Sequence, residues 1–248
     1  MTRTFDPQTA ARLLLSVRAG APRPEGLPVT PPDIAAAYAV QTQVMRQLGG
    51  AVSWKMALLG GHDLQTAAMP AHEVTSSGAT LLSLPHDAAI EVETALILGA
   101  ALPPGCTPGK ALDAVAEVRL AFELVGSRYR DRTAVPPLEA MADSFSSAAI
   151  VLGDVIPDWR VALDQPLGLT LVLDGQTVPA PEQTPTLTAT AEFLAWLATH
   201  AAARNLPLTA GTVIITGARI GPVPLNGARG AKACSRATEV RVTLADPA

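Results

Sequence analysis

A chain of 248 residues, 48% hydrophobic and only 16% charged, can bury a substantial core, and this excludes wholesale disorder. A net charge of −4, with no Lys/Arg cluster and no interleaving of basic and aromatic residues, excludes a nucleic-acid footprint. No window approaches the run of roughly 20 apolar residues that a membrane span needs, and Cys106 and Cys234, without metal-ligand spacing, read as reduced thiols of a soluble cytoplasmic protein.

Residues 7–18 place Ala10, Leu13, Leu14 and Val17 at helical spacing. Asp6 ahead of this run, and Arg12 and Arg18 on either side of its apolar centre, argue for an amphipathic helix rather than a signal peptide. A Pro/Gly-rich connector (20–28) leads to a second predicted helix, with Thr30 as N-cap, Pro31 at its first position and Asp33 in its first turn. That helix runs to about Leu48, where Gly49 and Gly50 end it. Short β-leaning apolar runs then dominate, broken by Gly, Pro and Ser. Asp174-Gly175 marks a hairpin, and helices are expected near 109–117 and over 188–204. The expected organisation is a helical segment over 1–50 and one mixed, mostly β unit over 51–248. The strand–helix alternation of a doubly wound sheet is missing.

The strand-like stretch 90–98 contains Glu91 and Glu93. Residues two apart on a strand share a face, so both carboxylates project together from an apolar element. A solvated edge face is the plain structural alternative. Glu123 sits in another apolar run, between Phe122 and Leu124, and Lys55 is the one cation in 51–59. Arg128 is a further candidate partner for Glu123. Three glutamates and a lysine, each isolated among apolar neighbours, fit a pocket in which a divalent cation is held by carboxylates beside an ammonium. All-oxygen ligation favours Mg²⁺, Ca²⁺ or Mn²⁺ over zinc.

Residues 31–49, Trp54-Lys55, IEVETALIL, AFELVGSRY, ADSFSSAAIVLG, AEFLAWLA and LTAGTVIITG occur in the order found in the 2-keto-4-pentenoate hydratase family. The chain resembles that family over essentially its whole length. The family also contains 4-oxalocrotonate decarboxylases and belongs to the fumarylacetoacetate hydrolase superfamily. The resemblance implies an α+β fold, with a mixed β-roll or barrel-like core behind the helical N-terminus, and a homo-oligomer. It implies Mg²⁺ or Mn²⁺ on Glu91, Glu93 and Glu123, with Lys55 lining the pocket and Tyr38 and Gln41 packing the second helix. The implied activity is hydration of a 2-hydroxypenta-2,4-dienoate-like 2-oxo acid. Decarboxylation of a 2-oxo-dicarboxylate, hydrolysis of an acylpyruvate-like C–C bond and a non-catalytic partner subunit are the alternatives.

The departures from the family pattern fall around the expected acid/base groups. After the lysine the chain reads Ala57, Leu58, Leu59, Gly60, and Ala71 occupies the place of an acid/base aspartate. His72 (otherwise a surface histidine) or Glu73 is then the expected proton carrier, Asp143 either a pocket acid or the cap of a turn, and Ser144 and Ser146 substrate-contacting hydroxyls. Thr184, Pro185 and Thr186 stand where the family has a Gly-His-Pro-like turn. His62, His86 and His200 lack ligand spacing and read as bystanders. No nucleophile elbow, phosphate loop or dinucleotide fingerprint is present, and the glycine-rich stretch 217–230 reads as a hairpin or loop near the site mouth.

Overall fold

The computed structural model describes residues 4–59, 63–81, 84–85 and 87–245. Two helices, α1 (Pro7–Arg18) and α2 (Ile34–Gln47), precede strands β1 (Ala51–Leu59), β2 (Asp63–Pro70), β3 (Val74–Ser76), β4 (Thr80–Leu81) and β5 (Ala89–Leu98). Helix α3 (Pro108–Asp113), strand β6 (Val115–Val125), helix α4 (Pro137–Ala142), strand β7 (Ser147–Val155) and helix α5 (Trp159–Ala162) follow. The chain closes with β8 (Thr170–Leu173), β9 (Gln176–Val178), α6 (Leu187–Ala203), β10 (Val213–Ile215), β11 (Ile220–Pro224), β12 (Gly230–Cys234) and β13 (Glu239–Leu244). No helix among the described residues is long and apolar enough to cross a membrane.

The larger sheet runs β2-β1-β10-β5-β6-β7-β3, with β11 also paired to β5, and curls into a half-barrel. The smaller sheet runs β4-β13-β12-β8-β9. Alternation along β5 and β6 decides what each face does. Ile90, Val92, Leu120, Phe122 and Leu124 pack against Leu171, Ala233, Val240 and Val242 of the smaller sheet. Farther along the larger sheet, Trp54, Leu96 and Ile214 join Leu14, Val40, Met45, Phe193 and Leu197 of the helices in the main core. The opposite face of β5 and β6 carries Glu91, Glu93, Ala95, Ala121 and Glu123, beside a small cluster of Ile150, Val213 and Ile215. The α+β class and the curled, barrel-like core expected from the sequence are observed.

Local departures have local causes. Helix α2 starts at Ile34, with Asp33 as N-cap accepting from Ala36 N–H at 2.8 Å, and not at Thr30. Pro32 disfavours helical backbone at Pro31, so the helix cannot begin there. Thr30 instead donates its hydroxyl to Glu139 at 2.5 Å. The helix expected over 109–117 stops at Asp113, because Val115 opens the longest strand of the sheet. Strand β2 was not foreseen: Thr66, Ala67, Ala68 and Met69 are all buried, which erases the alternation that marks a half-exposed strand. At the predicted hairpin, Asp174 (φ 45°) and Gly175 (φ 80°) both adopt the left-handed geometry that a two-residue turn between β8 and β9 requires.

The two sheets meet at Gly153. A Cβ built there would lie 2.5 Å from Glu239 O, 2.6 Å from Val240 Cβ and 3.0 Å from Leu120 O. Gly153→Ala is therefore expected to destabilise the protein by about 1–3 kcal/mol through overpacking. Gly109→Ala, in α3 with nothing within 4 Å of the new Cβ, is expected to be neutral or mildly stabilising. Thermal midpoints of the two variants check the pair; a neutral Gly153→Ala would contradict the close sheet contact.

Candidate metal centre

The register of β5 on β6 sets Glu91 directly opposite Glu123, and Glu93 opposite Ala121, so the three carboxylates share one face. Lys55 reaches them from β1 through β10: it is in register with Ile215, which is in register with Ala95 of β5. Its ammonium donates to Glu123 Oε1 at 2.5 Å, with side-chain exposures of 9% and 0%. Glu93 Oε2 accepts the Gly217 N–H at 2.7 Å. Gly217 has φ +97°, a conformation suited to glycine, and this turn after β10 aims the amide at the carboxylate.

Glu91, Glu93 and Glu123 each present a carboxylate oxygen within 4.8 Å of the others. Glu93 and Glu123 are fully buried, and Glu93 Oε1 and Glu123 Oε2 have no hydrogen-bond partner among the described residues. In each, one oxygen is fixed by a donor and the other is left over. A buried carboxylate oxygen without a donor is costly to desolvate. With all three glutamates ionised and Lys55 charged, the group carries two net negative charges, the number a divalent cation neutralises. Charge, all-oxygen chemistry and orphaned atoms therefore all fit Mg²⁺ or a similar hard ion on Glu91, Glu93 and Glu123.

Without such an ion, the crowding pushes Glu91 and Glu93 toward their protonated forms. Burial, then the charge of Glu123, pushes Glu91 up to about 7. Burial, then Glu123 and Glu91, raises Glu93 well above the ordinary carboxylate range. Burial opposes the charge on Lys55, but Glu123, Glu91 and Glu93 together outweigh it and hold the ammonium above its usual value.

The group sits in a cavity of about 710 Å³. Lys55, Glu91 and Glu93 form its polar end with Thr216 and Gly217, while Met56, Pro137, Ala140, Phe145 and Pro185 supply apolar walls and Gln183 and Thr184 a neutral polar edge. Phe145, Gln183 and Thr216 were not singled out as site residues from the sequence, whereas Gly217 and Ala218 open the stretch 217–230 that was expected near the site mouth and do line the cavity. The glycine after the apolar run 213–215 was the one available signal for the turn.

The remaining expected site residues lie elsewhere. His72 is exposed in a one-turn 3-10 segment, and Glu73 accepts a hydrogen bond from Arg18; neither lines the cavity. Asp143 is buried against Arg128, whose backbone N–H donates to Asp143 Oδ2 at 3.0 Å while its Nε donates to Oδ1. Arg128 is thus committed to Asp143, and Glu123 pairs with Lys55 instead. Ser144 donates its hydroxyl to Ala68 O at 3.1 Å, and Ser146 is buried, whereas Phe145 between them lines the cavity. His200 stacks on Trp196 with ring centroids 4.7 Å apart, away from the carboxylates. Gly60, His62 and His86 lie outside the described residues.

Residues 61–245 match the fumarylacetoacetate (FAA) hydrolase C-terminal family. A 4-oxalocrotonate decarboxylase from a Pseudomonas species is 31% identical over 186 residues, 74% of this chain and 71% of that protein. A 2-keto-4-pentenoate hydratase from Paraburkholderia xenovorans (strain LB400) is 33% identical over 144 residues, 57% of this chain and 52% of that protein. Among solved structures, the 4-oxalocrotonate decarboxylase from Pseudomonas putida G7, complexed with magnesium and adipate, superposes with a TM-score of 0.74. That match covers 98% of this chain and 100% of the other at 22% identity, and it establishes the fold. The chain belongs to the fumarylacetoacetate hydrolase C-terminal family, and its relatives include both hydratases and decarboxylases.

A carboxyl whose pKa is raised by folding favours the fold while protonated and opposes it once ionised. Metal-free protein should therefore lose stability as pH rises through the window from 4.5 to about 7 set by Glu91. The expected fall in thermal midpoint is on the order of 5–10 °C. Glu91→Gln should flatten much of the fall, and Mg²⁺ should reverse it. Scanning calorimetry in chelator across this window checks both, and a midpoint that rises with pH would contradict the assignment.

Proposed function

We propose that the chain is a divalent-metal-dependent hydratase of a small 2-hydroxy-dienoate, the enol form of a 2-oxo acid, working in the cytoplasm. The observation that carries this reading is a cluster of three carboxylates, two of them fully buried, that shares one lysine beside a largely apolar cavity. When bound there, a divalent cation supplies Lewis-acid stabilisation of negative charge on an enol or keto oxygen. Glu91, Glu93 and Glu123 hold it, and Glu93 is oriented for that task by the Gly217 amide. Lys55, kept protonated by its carboxylate neighbours, offers N–H donors to an anionic substrate head and stands where a proton can be delivered. The apolar walls exclude water from the hydrocarbon part of the substrate, while Gln183 and Thr184 provide neutral polar groups able to position a single water. In the overall reaction, 2-hydroxypenta-2,4-dienoate takes up one water to give 4-hydroxy-2-oxopentanoate.

Lys55 is the only cation among the described residues lining the cavity, and it is already engaged by Glu123. A substrate with a second carboxylate would bring an unpaired charge against apolar walls, at a cost of several kcal/mol. This supports the hydratase over a decarboxylase of a 2-oxo-dicarboxylate. The longer sequence match, to a 4-oxalocrotonate decarboxylase, is what favours that second reading.

The test is Mg²⁺-dependent loss of dienol absorbance with freshly generated 2-hydroxypenta-2,4-dienoate. Glu91→Gln and Lys55→Met are each expected to lower turnover at least about a hundredfold. Release of CO₂ from 4-oxalocrotonate, with the dienoate left unconsumed, would replace this reading with the decarboxylase.

A further inference from the structure

Residues 144–146 form a turn of unusual conformation beside the cavity. Ser144 (φ 51°), Phe145 (φ 50°) and Ser146 (φ 64°) are three consecutive non-glycine residues in the left-handed region. A left-handed backbone is unfavourable for L-residues, and a run of three persists only where the surroundings over-determine it. Arg128 supplies much of that constraint. Its guanidinium donates to Asp143 O at 2.6 Å before the turn and to Ser147 O at 2.6 Å after it, besides its pairing with the Asp143 carboxylate. Gly126 N–H donates to Ser146 O at 2.7 Å, and the Ser144 hydroxyl holds the turn to β2. Both serines are buried away, and Phe145 is the one side chain of the turn in the cavity lining. Pro137, Ala140, Pro185 and Ala189, also in the lining, are small or rigid, which leaves Phe145 and Met56 as its large apolar side chains and Phe145 as its one aromatic ring.

We propose that Phe145, presented by this left-handed turn, limits the length of the substrate chain beyond its 2-oxo acid head, and that Arg128 is the positioning residue that fixes the ring. The proposal rests on the 2-oxo acid reading of the site. It separates two tasks: the carboxylates and Lys55 take the head, and the turn reads the tail. It also accounts for Asp143, Ser144 and Ser146, which build the turn and leave the chemistry to others.

The experiment measures binding of straight-chain 2-oxo acids, from pyruvate to 2-oxooctanoate, to the full-length protein in Mg²⁺ by calorimetry. Wild type is expected to lose affinity as the chain lengthens toward 2-oxooctanoate. Phe145→Ala should improve the ratio of 2-oxooctanoate to pyruvate affinity by about tenfold, the scale on which a few methylenes are discriminated in a pocket. Phe145→Leu, which keeps bulk, should stay close to wild type. Arg128→Lys keeps the charge but cannot span the same acceptors, and it should shift the ratio in the same direction as Phe145→Ala. The double variant should show no further gain, because both changes act on one ring. A ratio within twofold of wild type in Phe145→Ala, with pyruvate still bound, overturns the proposal alone. An Arg128→Lys protein that loses thermal stability but keeps the wild-type ratio overturns the positioning role. Failure of wild type to bind any 2-oxo acid overturns both this proposal and the reading beneath it.

Discussion

Crowding three carboxylates, two of them fully buried, around a single ammonium is the constraint on which the rest of this structure depends. Glu93 and Glu123 are removed from water, and one oxygen of each lacks a donor among the described residues. An isolated buried charge shifts its pKa and neutralises, and the raised values of Glu91 and Glu93 record that pressure. Lys55 bonds directly to only one of the three, Glu123, and its charge offsets only part of the burial of Glu91 and Glu93. The arrangement is thus poorly matched to a protein that keeps the cluster for stability, since apolar residues of similar size would serve the core better. It is well matched to one that receives a divalent cation.

The fold reconciles this charge with a dry core by using the two faces of one sheet. Ile90 and Val92 of β5 and Leu120, Phe122 and Leu124 of β6 face the smaller sheet in an apolar cluster, while Glu91, Glu93, Ala121 and Glu123 lie on the opposite face. A register slip of one residue would exchange the two sets and bury the carboxylates between the sheets. Register is held by the ten-pair ladder of β5 on β6 and by the close sheet crossing at Gly153. Small residues do similar work at the site itself. Ala121 stands opposite Glu93 and gives its carboxylate room, and Gly217 brings a backbone donor to it without a side chain in the way.

The elements that carried a strong period were legible before the structure: α1, α6, β5, β6 and the Asp174-Gly175 hairpin. So were Glu91, Glu93, Glu123 and Lys55, because a charged residue in an apolar strand is conspicuous wherever it occurs. The acid/base assignments were less legible for a physical reason. Asp143 and Glu73 read as free carboxylates in one dimension, yet each meets an arginine far along the chain, Arg128 and Arg18. Pairing across 15 or 55 positions leaves no mark in local spacing. Phe145 was hidden differently, since a left-handed phenylalanine between two serines has no sequence signature and only the surrounding hydrogen bonds impose it.

These displacements narrow how protons can move at the site. With Glu73 tied to Arg18 and Asp143 tied to Arg128, the titratable groups at the cavity among the described residues are Lys55 and the carboxylates themselves. In the proposed reaction, carboxylates holding a cation would be unavailable as bases, and proton delivery would fall to Lys55 or to water placed by neutral groups such as Gln183 and Thr184. Glu123 then has two partners to serve: one oxygen fixes Lys55, and the other is the orphan that faces the cluster. Any cation drawn to that second oxygen weakens the hold of Glu123 on the ammonium, by competing for the same negative charge. Occupancy of the carboxylates and the proton affinity of Lys55 are therefore linked through one residue.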